Sequence, residues 1–366
     1  MDSELYNEFV FNRDKLNTFD RRNGVSGMMR VRNDAEFIEK SIDSCISALD
    51  ELIIVYHECT DNSPELIEKK RKEYPDKIKV YEYLPKIYSI NLTKEEYEYA
   101  KSLPMDSIHL LANYYNYALS KTTYKYAMKI DADQIYFSDK LRYWCDAYRS
   151  ELKINKTYTI GFLSLFLLKF INKLNFILKR IIKLPKFFIK LLFDHYLKFV
   201  YKLVVNEKIP ISLSGINIFE YSNEIYVTVG KITKEVNILP PYNGVGDHLI
   251  FKVTNDTYYV PDDCFFYNTL RSDSFTYIEN FVINKRYYHV GFFWFHMNQC
   301  RSNIKKKIES IYIKNPELFY EINHFVNESY YKIDKMTDNQ VIKLYQKSIF
   351  QILHIADVKN IIKYNK

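Results

Sequence analysis

Residues 126–135 read Tyr-Ala-Met-Lys-Ile-Asp-Ala-Asp-Gln-Ile, an apolar stretch that ends in two aspartates separated by one residue. The apolar part predicts a buried strand, with Asp131 and Asp133 at its carboxyl end. Two carboxylates so placed can bind a hard divalent cation, which can in turn hold the diphosphate of a nucleotide donor. The same spacing is common in Asx turns and solvated loops, so the pair needs support from the rest of the chain.

Strands and helices are predicted to alternate ahead of this stretch. Short apolar runs predict strands over residues 25–31, 52–56 and 79–83. Apolar residues at helical spacing over 37–49 predict a helix that Asn33 or Asp34 could cap, and Ser63 with Pro64 marks the start of another. A further helix, around residues 110–118, precedes the acidic strand. This alternation predicts a mainly parallel sheet, whose ligands gather at the carboxyl ends of its strands.

The composition indicates a folded chain with a sizeable core. Nearly half of the 366 residues are apolar, and tyrosine and phenylalanine are abundant. The first residues lack the basic and then apolar pattern of a cleavable signal peptide. The five cysteines are scattered and odd in number, which predicts reduced thiols in a cytoplasmic protein rather than a disulfide framework or a zinc site.

The net charge of +7 is concentrated in one segment, residues 159–205. It contains nine lysines and arginines but only one acid, Asp194, amid many leucines, isoleucines and phenylalanines. Its longest uncharged run is too short to cross a bilayer, and Pro185 bends or divides the helix. The pattern predicts a pair of basic amphipathic helices on an anionic membrane surface. A helical subdomain packed on its own protein is the alternative; nucleic acid fits less well because arginine is scarce.

Four segments are therefore predicted. Residues 1–158 are the part with alternating strands and helices, 159–205 an amphipathic helical insertion, 206–302 a strand-rich part, and 303–366 a helical extension. In the strand-rich part, most side chains of two aromatic clusters, at residues 263–267 and 287–296, are predicted to be core.

Polar residues follow several of the predicted strands. They are Arg30, Arg32, Asn33 and Asp34 after the first strand, His57, Glu58, Cys59, Thr60 and Asp61 after the second, and the acidic pair. Asn113-Tyr-Tyr-Asn116 lies just ahead of the acidic strand. Because the carboxyl ends of adjacent parallel strands share one rim, these groups could line a single pocket.

The pattern resembles the GT-A glycosyltransferases, in particular the family-2-like inverting enzymes. It is most similar to bacterial lipooligosaccharide β-1,4-N-acetylgalactosaminyltransferases, over roughly residues 25–140 and, more loosely, 212–302. The stretches that carry the resemblance are Arg30-Val-Arg-Asn-Asp34, Cys59-Thr-Asp-Asn-Ser63, Tyr114-Tyr-Asn-Tyr117, Lys129-Ile-Asp-Ala-Asp-Gln-Ile-Tyr136, Gly246-Asp-His-Leu249 and the region of His296. The resemblance implies an α/β GT-A fold with a Rossmann-like nucleotide-binding sheet. Residues 1–158 would be its nucleotide-sugar-binding half and residues 206–302 its acceptor-binding half, where the aromatic clusters could stack on sugars.

The resemblance also implies site residues. Asp133 would bind Mn²⁺ or Mg²⁺ directly, Asp131 would contact the ribose or the metal through water, and His296 would complete the coordination. A histidine in an aromatic stretch is also often a core residue. The residues implied to hold the UDP-sugar are Arg32, Tyr56, Asp61, Asn116 and Asp131. Tyr56 and His57 stand where family-2 enzymes usually carry acids that hold uracil, so base recognition would depend on stacking and on Asp61.

Sugar transfer with inversion also requires a base that takes the proton of the acceptor hydroxyl. The prediction is Asp247, in Gly244-Val-Gly-Asp-His-Leu249, because the flanking glycines let the backbone bend near a ligand. A turn aspartate is the alternative for this residue. Asp263, Asp273 and Glu279 are rival candidates for the base.

The expected function is therefore an inverting, metal-dependent transfer of N-acetylgalactosamine or galactose from a UDP donor. The expected acceptor is a bacterial surface glycolipid or oligosaccharide, such as a lipooligosaccharide or capsule precursor, at the cytoplasmic face of the inner membrane. Nucleic acid is not an expected partner. Two alternatives stay open: a sugar nucleotidyltransferase, for which the glycine-rich phosphate loop is only faint at Gly24 and Gly27, and a non-catalytic membrane-binding protein.

Overall fold

The chain forms two compact units, each built from two separate stretches. Unit 1 comprises Met1–Asp133 with Leu249–Arg286, and unit 2 comprises Gln134–His248 with Tyr287–Lys366. The computed structural model describes residues 6–16, 18–155, 158–178, 185–228, 230–232, 236–263, 274–327 and 350–364. The four predicted segments divide the chain at other positions, and their boundaries stay a prediction.

The secondary structure follows in chain order. The strands are β1 Arg22–Val31, β2 Glu51–Tyr56, β3 Ile78–Glu82, β4 Tyr124–Asp131, β5 Gln134–Tyr136, β6 Ile211–Tyr221, β7 Glu224–Thr228, β8 Lys231–Ile232, β9 Asn237–Ile238, β10 Tyr242–Lys252, β11 Tyr258–Asp263, β12 Tyr277–Val282, β13 Tyr288–His296 and β14 Phe319–Glu321. The helices are α1 Ile38–Cys45, α2 Ser63–Glu73, α3 Lys94–Ser102, α4 Leu111–Lys121, α5 Ser138–Arg149, α6 Thr159–Leu178, α7 Lys186–Glu207, α8 Ser302–Lys314, α9 Ile322–Asn327 and α10 Phe350–Ala356. Short 3₁₀ helices lie at Asn7–Phe9, Arg13–Lys15, Ile46–Ala48, Asn298–Cys300, Pro316–Leu318 and Val358–Tyr364.

Unit 1 contains a mainly parallel sheet with the strand order β3-β2-β1-β4 and the carboxyl end of β10 beyond β4. β1 is parallel to both β2 and β4, β2 is parallel to β3, and β10 is antiparallel to β4. The strands are buried apolar runs, and α4 packs on β1 and β2. The predicted α/β class, with a Rossmann-like sheet in the first part of the chain, is therefore confirmed.

The predicted cap of the first helix is wrong, whereas α2 begins at Ser63 with Pro64 in its first turn, as predicted. Phe37 precedes α1 and no side chain caps this helix. The carboxylate of Asp34 instead accepts a hydrogen bond from the Arg32 amide, and the Asn33 side chain accepts one from the Thr60 amide. Both side chains are used to fix the loop after β1, which is why neither is available to the helix.

Unit 2 contains a second set of strands, in which β6 pairs with β13 along residues 211–217 and with β7 along residues 218–221. β13 is parallel to β6 and antiparallel to β5, and β14 pairs with β7. The aromatic stretch before His296 is therefore a central strand, and Phe292, Phe293 and Trp294 are completely buried in it. These rings are core, as predicted for most of the aromatic clusters; residues 264–273 lie outside the described ranges.

Two helices, α6 and α7, form a hairpin in unit 2, and Pro185 lies immediately before α7. One side of each helix is buried, including Leu168 and Phe199. The other side exposes large apolar side chains, which are Ile160, Phe162, Leu163, Phe166, Phe170, Ile177, Phe187, Phe188 and Leu191. Within the described ranges, no helix combines the length and apolar character that a membrane crossing requires.

The helices α8, α9 and α10 of the carboxyl-terminal region belong to unit 2. Asp357, just after α10, accepts hydrogen bonds from Lys140 Nζ at 2.7 Å and from the Phe292 amide at 2.8 Å. The described part of the predicted helical extension is mostly helical, with β14 as an added strand; residues 328–349 lie outside the described ranges. Cys45, Cys59, Cys145 and Cys300 are free thiols, and Cys264 is not among the described residues.

Candidate functional site

The candidate donor site lies at the carboxyl ends of the parallel strands of unit 1. The chain leaves β1 towards β2 on one side, whereas β4 lies on the other side of β1. Such a change of direction opens a crevice at the strand ends, where ligands of open α/β sheets bind. In the pairing register, Arg30 of β1 lies beside Asp131 of β4, and Val31 lies beside Tyr56 of β2. The sequence-predicted residues of the first two loops and the acidic pair therefore share one edge.

The acidic pair occupies a tight turn between β4 and β5. Asp131 is the last residue of β4, Ala132 and Asp133 form the turn, and the Ser41 hydroxyl of α1 donates a hydrogen bond to the Asp131 carbonyl at 3.2 Å. Asp131 is partly buried and Asp133 is buried. Among the described residues, no group of three or more His, Cys, Asp or Glu could hold a metal ion. A magnesium-like ion commonly binds through one or two carboxylates together with substrate phosphates, and these two aspartates fit that mode.

A cluster of buried charges, which was not predicted from the sequence, lies beside the acidic turn. The Arg30 guanidinium stacks 3.4 Å from the centroid of the Tyr115 ring and donates a hydrogen bond to its hydroxyl. Lys129 Nζ lies 3.4 Å from Glu279 Oε1, and both side chains are less than a tenth exposed. Burial disfavours the charge on Arg30, but Tyr115, Glu279 and Asp131 together raise its pKa. The only sequence signal was a pair of cations inside apolar strands.

The loops after β1 and β2 meet through the predicted Arg32. Its guanidinium lies 3.2 Å from Glu58 Oε2, and both side chains are about half exposed. Asn33 and Glu58 both adopt left-handed backbone conformations, at φ of 59° and 40°. An exposed ion pair contributes little stability, so the Arg32 guanidinium can exchange Glu58 for an anionic ligand at small cost.

Tyr56 and His57, at the end of β2, differ in their exposure. Tyr56 is partly buried, and its pKa is raised by burial and by the neighbouring Glu82 carboxylate. His57 is buried, with Nδ1 3.0 Å from the Tyr83 carbonyl. Burial lowers the pKa of His57 despite the nearby Glu58 carboxylate. A neutral, enclosed imidazole supports the loop, and the accessible ring is that of Tyr56.

Two predicted nucleotide ligands, Asp61 and Asn116, already bind backbone groups. Asp61 accepts hydrogen bonds from the Ala35 and Ser63 amides at 3.1 and 3.0 Å. Burial raises the pKa of Asp61, whereas the hydrogen bonds from these amides and from the Ser63 hydroxyl lower it. The net effect is a lowered pKa. The buried Asn116 amide exchanges two hydrogen bonds of 2.8 Å with the backbone of Tyr259. The structure thus gives both side chains an architectural task, and their nucleotide contacts stay a prediction.

In unit 2, His296 is held by a buried asparagine. Asn217 Nδ2 donates to the Pro240 carbonyl at 2.6 Å, so its Oδ1 is turned towards His296 Nδ1, also at 2.6 Å. Because that oxygen can only accept, His296 Nδ1 carries the proton of this hydrogen bond. Metal-binding histidines commonly donate their other ring proton to an oxygen in this way. His296 was predicted from the sequence as a site residue, but Asn217, which is 79 residues away in the chain, was not.

Asp247, the predicted base, also lies in unit 2. Its side chain is half exposed, and its Oδ2 lies 3.2 Å from Nδ1 of the buried His248. Gly244 and Gly246 both have positive φ, near 85°, and the Gly246 amide donates a hydrogen bond to the Ser212 hydroxyl at 3.0 Å. The bend that the glycines permit therefore places an accessible carboxylate next to an imidazole that can share its proton.

The described rival candidates for the base have less exposed carboxylates than Asp247. Asp263 accepts a hydrogen bond from the Tyr97 hydroxyl at 2.6 Å and lies 3.5 Å from Lys101 Nζ. Glu279 is the buried partner of Lys129. Asp273 lies outside the described residues. Of the described candidates, Asp247 has the most exposed carboxylate.

Comparison with known proteins identifies a related family. Residues 10–180 match the sequence model of the family described as β-1,4-N-acetylgalactosaminyltransferase (CgtA). The match includes β1 to β5, the acidic turn and α6, and the looser predicted block at 212–302 lies outside it. No curated protein matches the chain.

Solved structures resemble only part of the chain. One is the mannosyltransferase PcManGT from Pyrobaculum calidifontis in complex with GDP-Man and Mn²⁺, with 20% identity over 36% of this chain and 32% of that one, at a TM-score of 0.24. Another is glucosyl-3-phosphoglycerate synthase from Mycobacterium tuberculosis with Mn²⁺, UDP and glucosyl-3-phosphoglycerate, with 18% identity over 31% and 34% of the two chains, at a TM-score of 0.20. The chain spans about a third of the length of each.

Proposed function

We propose that the chain is a glycosyltransferase that transfers a sugar from a UDP donor with inversion, because residues 10–180 match the family model of the β-1,4-N-acetylgalactosaminyltransferases. The donor sugar is N-acetylgalactosamine or galactose. The observation that carries the proposal is the acidic turn at Asp131 and Asp133, at the carboxyl end of β4 beside β1. This is the edge at which an open α/β sheet binds nucleotides.

The donor site would use the residues of this edge. Asp133 and Asp131 would hold Mn²⁺ or Mg²⁺ together with the phosphates of the donor. His296, in unit 2, is proposed separately as a metal ligand, because Asn217 orients its ring in the way that is common for metal-binding histidines. The ion supplies positive charge to the diphosphate, where negative charge accumulates as the sugar leaves. The residues proposed to contact the nucleotide are Arg32, Tyr56, Asp61, Asn116 and Asp131.

Asp247 would act as the base. An inverting transfer needs one carboxylate that removes the acceptor proton while the hydroxyl attacks the anomeric carbon from the side opposite the diphosphate. The exposed Asp247 side chain meets that need, and the neighbouring His248 supports its ionised form when the imidazole carries a proton. Removing the carboxylate by Asp247→Asn should lower transfer while leaving UDP binding unchanged.

The acceptor would be lipid-linked, a surface glycan, lipooligosaccharide or capsule precursor at the cytoplasmic face of the inner membrane. Support comes from the α6–α7 hairpin, whose exposed side combines phenylalanines with lysines. Apolar side chains can enter the headgroup region while lysines bind anionic lipids. Because the hairpin's other side is packed in unit 2, its deletion would disturb the fold, and substitutions on the exposed side are the better test.

The catalytic proposal is tested by UDP release from UDP-N-acetylgalactosamine and UDP-galactose in the presence of Mn²⁺. Asp133→Asn should abolish turnover, because it removes a proposed metal ligand with little change of volume. Asp146→Asn is the matched control, since Asp146 is exposed on α5 and pairs only locally with Arg149. Unchanged turnover in Asp133→Asn, with Asp146→Asn also active, would contradict the proposed metal site and favour a structural role for the acidic turn.

The membrane proposal is tested by sedimentation with vesicles that contain phosphatidylglycerol. The triple variant Phe162→Ser, Phe166→Ser and Phe170→Ser should stay in the supernatant, because it removes exposed apolar area from α6. Transfer to a soluble acceptor should persist. Sedimentation equal to the parent protein would show that this face is not the membrane contact.

A further inference from the structure

A cavity lies between the two helices of the hairpin, and we call it the hairpin cavity. It has a volume of about 490 Å³, within the range of ordinary ligand pockets. Its lining includes Tyr158, Ile160 and Phe199, together with His195, Lys198 and Lys202. Among the described residues that line it, none is acidic.

The local structure explains why the cavity exists. Gly161 brings α6 close to α7, since a Cβ at this position would lie 2.3 Å from the Cβ of Phe199. Before the helix, Asn206 binds both backbone groups of Ile154 at 2.9 Å and donates to the Tyr158 hydroxyl at 3.1 Å. The chain entering α6 is thus tied to the carboxyl-terminal end of α7 by Asn206, and the two helices touch again at Gly161 and Phe199. The lining of the cavity includes residues of both contacts.

The cavity has an apolar part and a cationic part. Phe199 is buried and packs edge-on against Tyr158, with 5.6 Å between ring centroids. His195, Lys198 and Lys202 lie at helical spacing on one face of α7, and Lys198 is exposed. His195 Nδ1 lies 2.9 Å from the Leu191 carbonyl, so the imidazole is held against its own helix and the two lysines are the cations of this face. Aromatic walls beside positive charges match an amphiphile with an anionic head.

We propose that the hairpin cavity binds one anionic phospholipid, with its phosphate at Lys198 and Lys202 and an acyl chain against Phe199. This inference rests on the proposed membrane contact. Ile160 both lines the cavity and is 66% exposed, next to Phe162 and Leu163 of the apolar face. A lipid can therefore enter from the bilayer without crossing water, and the bound molecule would fix the orientation of the enzyme at the membrane surface.

The test uses the full-length protein and dihexanoyl phosphatidylglycerol below its micelle concentration, so that binding does not need a membrane. Native mass spectrometry should show one lipid per chain, and calorimetry gives its Kd. Lys198→Gln should weaken binding about tenfold, because a charge-assisted hydrogen bond is lost. Thr159→Trp, which places a bulky side chain at the cavity, should also weaken it. The matched control is Lys190→Gln, since Lys190 is on the same helix but pairs with Asp194 at 2.9 Å.

Three results would overturn the proposal: no lipid bound by the parent protein, the same Kd in Lys198→Gln, or equal affinity for dihexanoyl phosphatidylcholine. Inorganic phosphate is a further arm; if it binds as tightly as the lipid, the site is an anion site and not a lipid site. Vesicle sedimentation and UDP release are measured in parallel. If the protein sediments with vesicles and releases UDP but binds no soluble lipid, the lipid site in the hairpin cavity is refuted, whereas the proposed membrane contact and the proposed transfer reaction are not.

Discussion

Acid should destabilise unit 2 through one buried histidine, His289. It lies on β13 beside Ser212 of β6, and its carbonyl accepts a hydrogen bond from the Tyr196 hydroxyl at 2.8 Å. Burial lowers the pKa of His289 from 6.5 to about 4, although the backbone of Ser212 acts in the opposite direction. Because the folded pKa lies below the unfolded one, the unfolded chain binds the proton more readily, and the contribution to stability is complete above pH 6.5 and is lost as the pH falls towards 4.

The shift sets the size of the effect. A difference of about 2.5 pKa units corresponds to at most about 3.4 kcal/mol, of which about 2.4 kcal/mol should be lost between pH 7 and pH 4.5. Urea denaturation followed by tryptophan fluorescence measures this loss selectively, because the chain has two tryptophans, Trp144 and Trp294, and both are in unit 2.

Two variants isolate the contribution of His289 from general acid destabilisation. His289→Asn should be less stable than the parent at pH 7 but should lose about 2 kcal/mol less on going to pH 4.5. His195→Asn, on α7 and not fully buried, should keep the pH dependence of the parent. Equal losses in the parent and in His289→Asn, or a ring titration of His289 near pH 6.5 in NMR spectra, would refute the reasoning.

Three further predictions concern the site and its supports. Asn217→Ala should weaken Mn²⁺ binding in the presence of UDP about 10–100-fold in calorimetry, because His296 loses the acceptor that orients it; unchanged affinity would exclude His296 as a ligand. Gly215→Ala should lower the free energy of unfolding by about 1–3 kcal/mol, because its Cβ would lie 1.9 Å from Trp294 Nε1, and a melting temperature equal to the parent's would contradict this. Glu51→Gln should cost about 1–3 kcal/mol in urea denaturation, because the buried carboxylate accepts four hydrogen bonds; a loss below 0.5 kcal/mol would show that the charge is not needed.

The strand and helix order of unit 1 could be predicted because buried parallel strands are continuous apolar runs and the helices between them are amphipathic. The ends of these elements were harder to predict, because a polar side chain near a helix start can form a hydrogen bond either with the helix or with a neighbouring loop. Asp34 illustrates this: it could have capped α1, but it binds the Arg32 amide instead. Such a choice depends on the loop's full geometry.

The candidate site was predictable only in part, for a similar reason. Asp131 and Asp133 are adjacent to one another and to a strand, so the sequence displays them together. Asn116 pairs with a backbone 143 residues away, and Lys129 with a carboxylate 150 residues away. Interactions over such separations leave no periodic pattern in a single sequence. The acidic turn could be found by inspection, whereas the buried partners around it required the fold.

The interleaving of the two units has a consequence for biosynthesis. The edge of β4 is covered by Ile250–Lys252, more than a hundred residues later in the chain. A nascent chain on the ribosome therefore exposes that edge until the later stretch emerges, and an uncovered strand edge favours aggregation. We expect a polypeptide that stops at residue 180 to require chaperones or to precipitate, although it contains the whole region that matches the related enzymes.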